Sequence, residues 1–126
     1  MLTLTILPEV LAICRLSTDE VVPAWTMLGE FVSITHTRDE LSIVCATENV
    51  PPDVQADRGW RGLKVEGPLD LGLTGILASL ANPLAAAQIN LFAVATFDTD
   101  YLLVKEYNLA RACETLRQAG HVVHQD

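Results

Sequence analysis

The sequence has little positive charge, no long uninterrupted apolar run and no paired cysteine motif. Its 126 residues include 8 Lys and Arg against 16 Asp and Glu, so the formal net charge is -8. An excess of negative charge repels phosphate backbones and anionic lipid surfaces. We therefore expect neither nucleic acid nor a membrane surface to be a partner.

The apolar segments are too short or too interrupted for a membrane helix, which needs roughly 20 apolar residues. Asn82, Pro83 and Gln88 interrupt the longest one. Residues 1–7 are apolar, but they lack a basic flank and Pro8 closes the segment early, which is not the pattern of a signal peptide. We expect a cytoplasmic protein.

Residues that commonly bind metals are few and scattered. The three cysteines lie inside apolar patterns without any Cys-x-x-Cys spacing, which predicts buried free thiols. The three histidines show no converging metal-ligand spacing, and we interpret them as surface residues. We predict no metal site and no cofactor. These residues are Cys14, Cys45, Cys113, His36, His121 and His124.

Half of the residues are apolar, which is enough for a well-buried interior in one compact unit or two small modules. The first half predicts strands at residues 2–7 and 11–16 separated by Pro8, a short helix at 23–28, and a hairpin at 31–36 and 41–45. A polar, proline-bearing connector follows at residues 46–59. We place a module boundary there, giving modules 1–59 and 60–126.

The second half predicts the order β-α-β-β-α-β. Its strands are predicted at residues 60–65, 89–96, 101–105 and 121–124, and its helices at 72–87 and 108–119. Pro83 predicts a kink or break near Asn82, because proline removes an intrahelical hydrogen bond. This order is that of a ferredoxin-like unit, and the first half looks like a reduced copy. The predicted fold class is α+β, with two ferredoxin-like modules in tandem.

A candidate site lies where the loop before the first of these helices can meet the turn between two strands. The helix start offers free N–H groups and the positive end of the helix dipole, which suit a carboxylate. Asp98 and Asp100 follow an apolar strand and suit an ammonium or guanidinium group. A free amino acid carries groups of both kinds.

Ordinary structural roles compete with this interpretation. Gly72 and Gly75 also suit a turn with positive φ or close packing, and aspartates are common in solvated turns. If the segment is extended, Asp98 and Asp100 share one face, opposite Phe97 and Thr99. All four side chains then cannot line one pocket, and backbone groups of the latter two contribute instead.

The segments GILASLANPLAAAQINLFAVATFDTDYLLVKE and EFVSITHTRDELSIVC resemble the tandem ACT-domain proteins, whose relatives include the CASTOR-type cytosolic arginine sensors. The resemblance runs from about residue 2 to residue 123, and its most specific part is Thr-Phe-Asp-Thr-Asp-Tyr at 96–101. It implies two ACT modules, the N-terminal one reduced, that pair side by side and bind a free amino acid where they meet. It also implies a homodimer.

Carried over to matching positions, the resemblance implies ligand contacts on the loop leading into the helix and on the strand side. The predicted ligand-binding residues include the loop that contains Gly72 and Gly75. The full set is Gly72, Thr74, Gly75, Ile76, Phe97, Asp98, Thr99 and Asp100.

Three function classes follow from these observations. The leading one is a non-catalytic regulatory protein that binds a free amino acid at an ACT–ACT interface and transmits this to a protein partner. The alternatives are a structural or assembly protein without a ligand, and an enzyme that uses Asp98 and Asp100 as an acid/base pair or as Mg²⁺ ligands. The sequence shows no nucleophile-base constellation and no phosphate-binding glycine motif with a lysine. Which amino acid binds is not determined by the sequence.

Overall fold

A computed structural model describes residues 1–125 and shows an α+β fold. The strands are β1 Thr3–Leu16, β2 Ser33–His36, β3 Leu41–Ala46, β4 Ala56–Val65, β5 Phe92–Ala95, β6 Asp100–Lys105 and β7 Val122–Gln125. The α-helices are α1 Ile76–Ala86 and α2 Leu109–Gln118, and short 3-10 helices span Ala24–Met27, Thr47–Asn49 and Glu106–Asn108. Within the described part of the chain, no helix is long and apolar enough to cross a membrane.

The chain divides into two compact units. One, the split unit, consists of Met1–Pro8 and Arg61–Asp126, and the other, the continuous unit, consists of Glu9–Trp60. The first eight residues therefore belong with the second half of the chain. The assignment of modules to residues 1–59 and 60–126 stays a prediction.

The split unit contains the predicted β-α-β-β-α-β order, running from β4 through α1, β5, β6 and α2 to β7. Its strand order is β7-β1-β4-β6-β5. The start of β1 lies between β7 and β4: Thr3 to Ile6 pair in parallel with β7, and the Thr3 carbonyl accepts a hydrogen bond from the Glu66 N–H. The strand that opens the chain thus completes this sheet.

The core of the split unit joins both helices to the strands. Apolar side chains repeat every three to four residues in each helix and every two in each strand, so each element turns one face to this core. Its buried members are Leu4, Ile6, Leu63, Val65, Leu80, Leu84, Ile89, Leu102, Val104, Ala112, Cys113, Leu116 and Val123.

Helix α1 begins later than predicted and is not broken at Pro83. It starts at Ile76 rather than residue 72 and continues through Pro83 to Ala86, so the predicted break near Asn82 is wrong, and the alternative, a kink, stays a prediction. Proline leaves the Ser79 carbonyl without its usual backbone donor. The side chain of His121 supplies one, with Nε2 3.2 Å from the Ser79 oxygen. His121 is only 8% exposed, so its interpretation as a surface residue is also wrong.

The continuous unit has the strand order β2-β3-β1-β4 and, in its described residues, no α-helix. The predicted hairpin is confirmed as the antiparallel pair β2 and β3, in which Ile34 faces Ile43. A small core contains Ala12, Cys14, Leu16, Leu41, Ile43, Cys45 and Val50. All three cysteines of the chain are buried, as predicted.

The predicted break between two N-terminal strands is wrong, because β1 runs through Pro8 without interruption. Residues 3–6 of β1 pair with β7 and residues 11–16 pair with β3. Pro8 lies between these two registers, where no N–H is needed for either ladder, and a strand tolerates proline at such a position.

Candidate functional site

A pocket of about 140 Å³ lies in the split unit between the loop that precedes α1 and the turn that joins β5 to β6. Both segments were singled out from the sequence, and here they form two walls of one cavity. The lining residues are Leu69, Asp70, Leu71, Leu73, Ile76, Ala95, Thr96, Phe97, Asp98, Thr99 and Asp100.

The β5–β6 wall is a tight turn whose tip is Phe97 and Asp98. Ala95 pairs with Asp100 at the strand ends, and the Thr96 N–H donates to the Thr99 carbonyl over 2.9 Å. The Thr96 hydroxyl reinforces this closure, donating to the same carbonyl at 3.0 Å and accepting from the Thr99 N–H at 3.3 Å. The hydrogen bonds between Thr96 and Thr99 therefore fix the backbone that carries Asp98 and Asp100.

Thr99 attaches this turn to the sheet beneath it. Its side chain is 5% exposed, and its hydroxyl donates to the Val65 carbonyl over 2.5 Å. Because that hydroxyl is already used, it is not a free ligand donor. Phe97 is the opposite case, since its ring is 80% exposed at the rim of the pocket.

The loop wall is held against the turn by backbone contacts. The Leu69 N–H donates to the Asp98 carbonyl over 2.7 Å. Gly67 makes this approach possible: a Cβ there would lie 2.9 Å from the Leu69 nitrogen and 3.1 Å from the Asp98 oxygen. Asp70 then organises the rest of the loop, because its carboxylate accepts from the Gly72 N–H at 2.7 Å and its carbonyl from the Leu73 N–H at 3.0 Å.

Helix α1 begins at the pocket with an uncapped N-terminus. Gly75 occupies the N-cap position with φ of 77°, a left-handed conformation that glycine adopts without steric cost, and no side chain caps the helix there. No acidic residue lies in the first turn. Ile76, the first helical residue, lines the pocket. The first N–H groups of a helix have no intrahelical partner, and they carry its positive dipole end.

The pocket is acidic apart from that helix end. Among the described residues that line it, only Asp70, Asp98 and Asp100 are ionisable. Asp70 is engaged within its own loop, whereas no residue within 1–125 donates a hydrogen bond to the carboxylate of Asp98 or Asp100 or forms an ion pair with either. The arrangement offers acceptors for a cation on one wall and donors for an anion on the other.

The three carboxylates do not converge like metal ligands. Within residues 1–125, no group of three or more His, Cys, Asp and Glu side chains has an arrangement that could hold a metal ion. The buried thiols also lie outside this pocket. A hydrogen bond between Cys14 and Cys45 lowers the pKa of the Cys14 thiol and, together with burial, raises the pKa of Cys45. Burial raises the pKa of Cys113.

Five of the eight predicted ligand-binding residues line the pocket: Ile76, Phe97, Asp98, Thr99 and Asp100. Gly72, Thr74 and Gly75 are exposed loop residues that shape its wall without lining it. Their roles as ligand contacts stay predictions.

Six lining residues were missed from the sequence: Leu69, Asp70, Leu71, Leu73, Ala95 and Thr96. The position of Asp70, two residues before Gly72, was the available signal, because aspartate often accepts from the N–H two residues on. Leu73 falls within the helix predicted at residues 72–87, but the helix begins only at Ile76, and Leu73 is a loop residue that is 54% exposed.

Comparison with family models gives two matches. Residues 55–118, just over half of the chain, match the model of the ACT domain, and residues 9–53 match the model of a family described as an N-terminal domain. The ACT match contains all the residues that line the pocket.

Comparison with known proteins gives matches of different extent. An X-ray structure of a protein from Agrobacterium tumefaciens is 44% identical, with a TM-score of 0.93, and the match covers 99% of this chain and 93% of that one. A human protein named cytosolic arginine sensor for mTORC1 subunit 1 is 41% identical over 64 residues, which are 48% of this chain and 20% of that protein. The chain therefore matches about a fifth of this relative's length.

More distant structures share the fold alone. A structure of aspartokinase α and β subunits is 13% identical with a TM-score of 0.66, and the match covers 94% of this chain and 97% of that one.

Proposed function

The chain belongs to the ACT domain family, and on that premise we propose that it is a non-catalytic regulatory protein whose pocket binds a free amino acid with a cationic side chain. The observation that carries the proposal is the pairing of an uncapped helix N-terminus with two carboxylates that have no hydrogen-bond or ion-pair partner among residues 1–125. The name of the human relative, an arginine sensor, points to the same ligand class.

In the proposed complex, the ligand carboxylate lies at the N-terminus of α1, where the free N–H groups near Ile76 donate to it. The ligand's α-ammonium and its cationic side chain are bound by Asp98 and Asp100. Charged hydrogen bonds of this kind contribute about 1.5 to 3 kcal/mol each. Gly72, Thr74 and Gly75 set the loop conformation, and backbone groups of Phe97 and Thr99 complete the wall.

We also propose that a second copy of the chain completes the site. The pocket measures about 140 Å³, smaller than the roughly 300 Å³ at which enclosed small-molecule sites begin. Exposed apolar side chains are among its lining residues and form its rim, namely Leu71, Leu73 and Phe97. A homodimer that packs on this rim would enclose the ligand and cover the apolar surface.

The remaining parts of the proposal concern organisation and output. The chain is a pair of ACT-type modules, a reduced one at residues 1–59 and a fuller one at 60–126 whose sheet also contains residues 3–6. It acts in the cytoplasm, which is where the name of the human relative places that protein. Ligand binding changes its association with a protein partner. A coupling of about 1 to 3 kcal/mol between ligand and partner is sufficient for such a sensor.

A thermal-shift screen of the twenty amino acids, followed by calorimetry, tests the proposal. We expect arginine or lysine to raise the melting temperature, and Asp100→Asn to weaken that ligand's affinity about tenfold or more. Asp53→Asn is the matched control, because Asp53 is an exposed carboxylate outside the pocket.

Two results would favour the other function classes. A stable dimer that no amino acid stabilises, and that is indifferent to Asp100→Asn, would indicate an assembly protein. Turnover that requires Mg²⁺ and is abolished by Asp100→Asn would indicate an enzyme.

A further inference from the structure

Pro83 creates a specific defect in the helix that begins at the pocket. The Ser79 carbonyl would normally accept from the N–H of residue 83, and proline has none. Ser79 is exposed, but its carbonyl is reached by Nε2 of the buried His121 over 3.2 Å. The imidazole therefore takes the place of the missing backbone donor.

The other ring nitrogen fixes the tautomer and holds the ring in place. The Leu2 N–H donates to Nδ1 of His121 over 3.1 Å, so Nδ1 is the acceptor and Nε2 carries the proton that is donated to Ser79. The backbone of His121 is also fixed, because its N–H donates to the Leu116 carbonyl across a Schellman turn at Gly120, whose φ is 96°. The donor is thus rigid and correctly polarised.

Ser79 transmits this restraint to the pocket. Its N–H donates to the Gly75 carbonyl at 3.0 Å, and its hydroxyl donates to the Ile76 carbonyl at 2.7 Å. Gly75 caps the helix and Ile76 lines the pocket. One residue therefore connects His121 to both positions at the helix start.

We propose that His121 is a positioning residue of the amino-acid pocket, which it never touches. By satisfying the Ser79 carbonyl, it holds the first turn of α1 so that its free N–H groups keep a fixed direction toward the ligand. The inference rests on the proposed function for the ligand's identity, and on hydrogen bonds within the split unit for the mechanism. The imidazole thereby offsets the backbone donor that Pro83 removes from the helix.

The experiment uses the full chain in four forms: wild type, His121→Leu, Pro83→Ala, and the double variant. Pro83→Ala restores the backbone N–H that Ser79 lacks, so it removes the need for the imidazole at that carbonyl alone. In the double variant it restores neither the acceptor for the Leu2 N–H nor the packing of the imidazole ring, both of which His121→Leu removes. General damage from His121→Leu is thereby separated from loss of the Ser79 contact.

Two readouts are measured on each form, the amide hydrogen exchange of Ser79 and Leu80, and the calorimetric Kd for L-arginine. Loss of this partly buried hydrogen bond predicts that His121→Leu speeds exchange and raises Kd by up to about tenfold. The double variant should regain most of both losses while remaining less stable than wild type overall.

Exchange and Kd that are unchanged in His121→Leu would overturn the inference, and so would a double variant that regains nothing. A wild-type protein that does not bind L-arginine would contradict the cationic ligand of the proposed function. The exchange measurements would then still decide whether His121 orders the first turn.

Discussion

Thr99→Val tests how the turn that carries Asp98 and Asp100 is attached to the sheet. Valine keeps the shape of threonine but removes the hydroxyl that donates to the Val65 carbonyl. The side chain is 5% exposed, so water cannot readily replace the lost donor. Removing one partner of a buried hydrogen bond costs about 1 to 3 kcal/mol.

For a chain of this size, each kcal/mol corresponds to a melting-temperature decrease of roughly 3 to 5 °C. We therefore expect Thr99→Val to melt roughly 3 to 15 °C lower than wild type in thermal unfolding. In urea denaturation we expect it to lose about 1 to 3 kcal/mol of unfolding free energy. Thr96→Val is the matched control, because the Thr96 hydroxyl bonds within the turn but the residue is exposed. We expect the control to cost less than about 1 kcal/mol. Equal stability of the two variants would contradict the role of the buried Thr99 hydroxyl in attaching the turn to the sheet.

Four further predictions concern the pocket, the helix ends and one buried thiol. Asp100→Asn should weaken binding of a cationic amino acid about tenfold in calorimetry, because it removes a charged acceptor, whereas Asp53→Asn should leave the Kd unchanged. Gly120→Ala should destabilise the protein by about 1 kcal/mol in urea, because φ is 96° and the added Cβ meets nothing within 4 Å, so only backbone strain contributes; no loss would contradict this. Gln88→Gly should stabilise by up to about 1 kcal/mol, because Gln88 has φ of 59° at the end of α1; a loss of stability would mean that its side chain has a structural role. Burial raises the pKa of Cys113 above the ordinary 9.0, so its contribution to stability is complete below that pH and is lost as the pH rises beyond it. In urea titrations, the free energy of unfolding should fall less between pH 8 and pH 10 for Cys113→Ala than for wild type. An equal fall in the two proteins would contradict the raised pKa of Cys113.

Local patterns predicted most elements of the fold correctly. The β2–β3 hairpin follows from alternating apolar residues around a polar turn, and α2 ends at Gln118, one residue before the predicted end at 119, because Gly120 in the left-handed region closes it. Long-range pairing was not accessible to such patterns. The place of β1 between β7 and β4 depends on hydrogen bonds between residues more than 60 positions apart, such as that from Glu66 to Thr3.

The errors at the site have one physical origin, since the sequence identified groups but not their partners. Local sequence predicts a break at Pro83, since the compensating donor, His121, lies 42 residues away from Ser79 in the chain and cannot be recognised from neighbouring residues. The sequence places Thr99 among the ligand contacts, since nothing local indicates that its hydroxyl reaches Val65. The two aspartates were recognised because carboxylates are unusual beside apolar strands, and both line the pocket.

The most direct test of the proposed ligand class is a calorimetric titration of dialysed, ligand-free protein with L-arginine, with L-norleucine as the uncharged control. Both ligands carry the α-carboxylate that α1 would bind, but only arginine supplies a second cation for the carboxylates of Asp98 and Asp100. The proposed ligand class predicts saturable binding of arginine at one site per chain and at least about tenfold weaker binding of norleucine. Equal affinity for the two, or no heat with arginine, would contradict it.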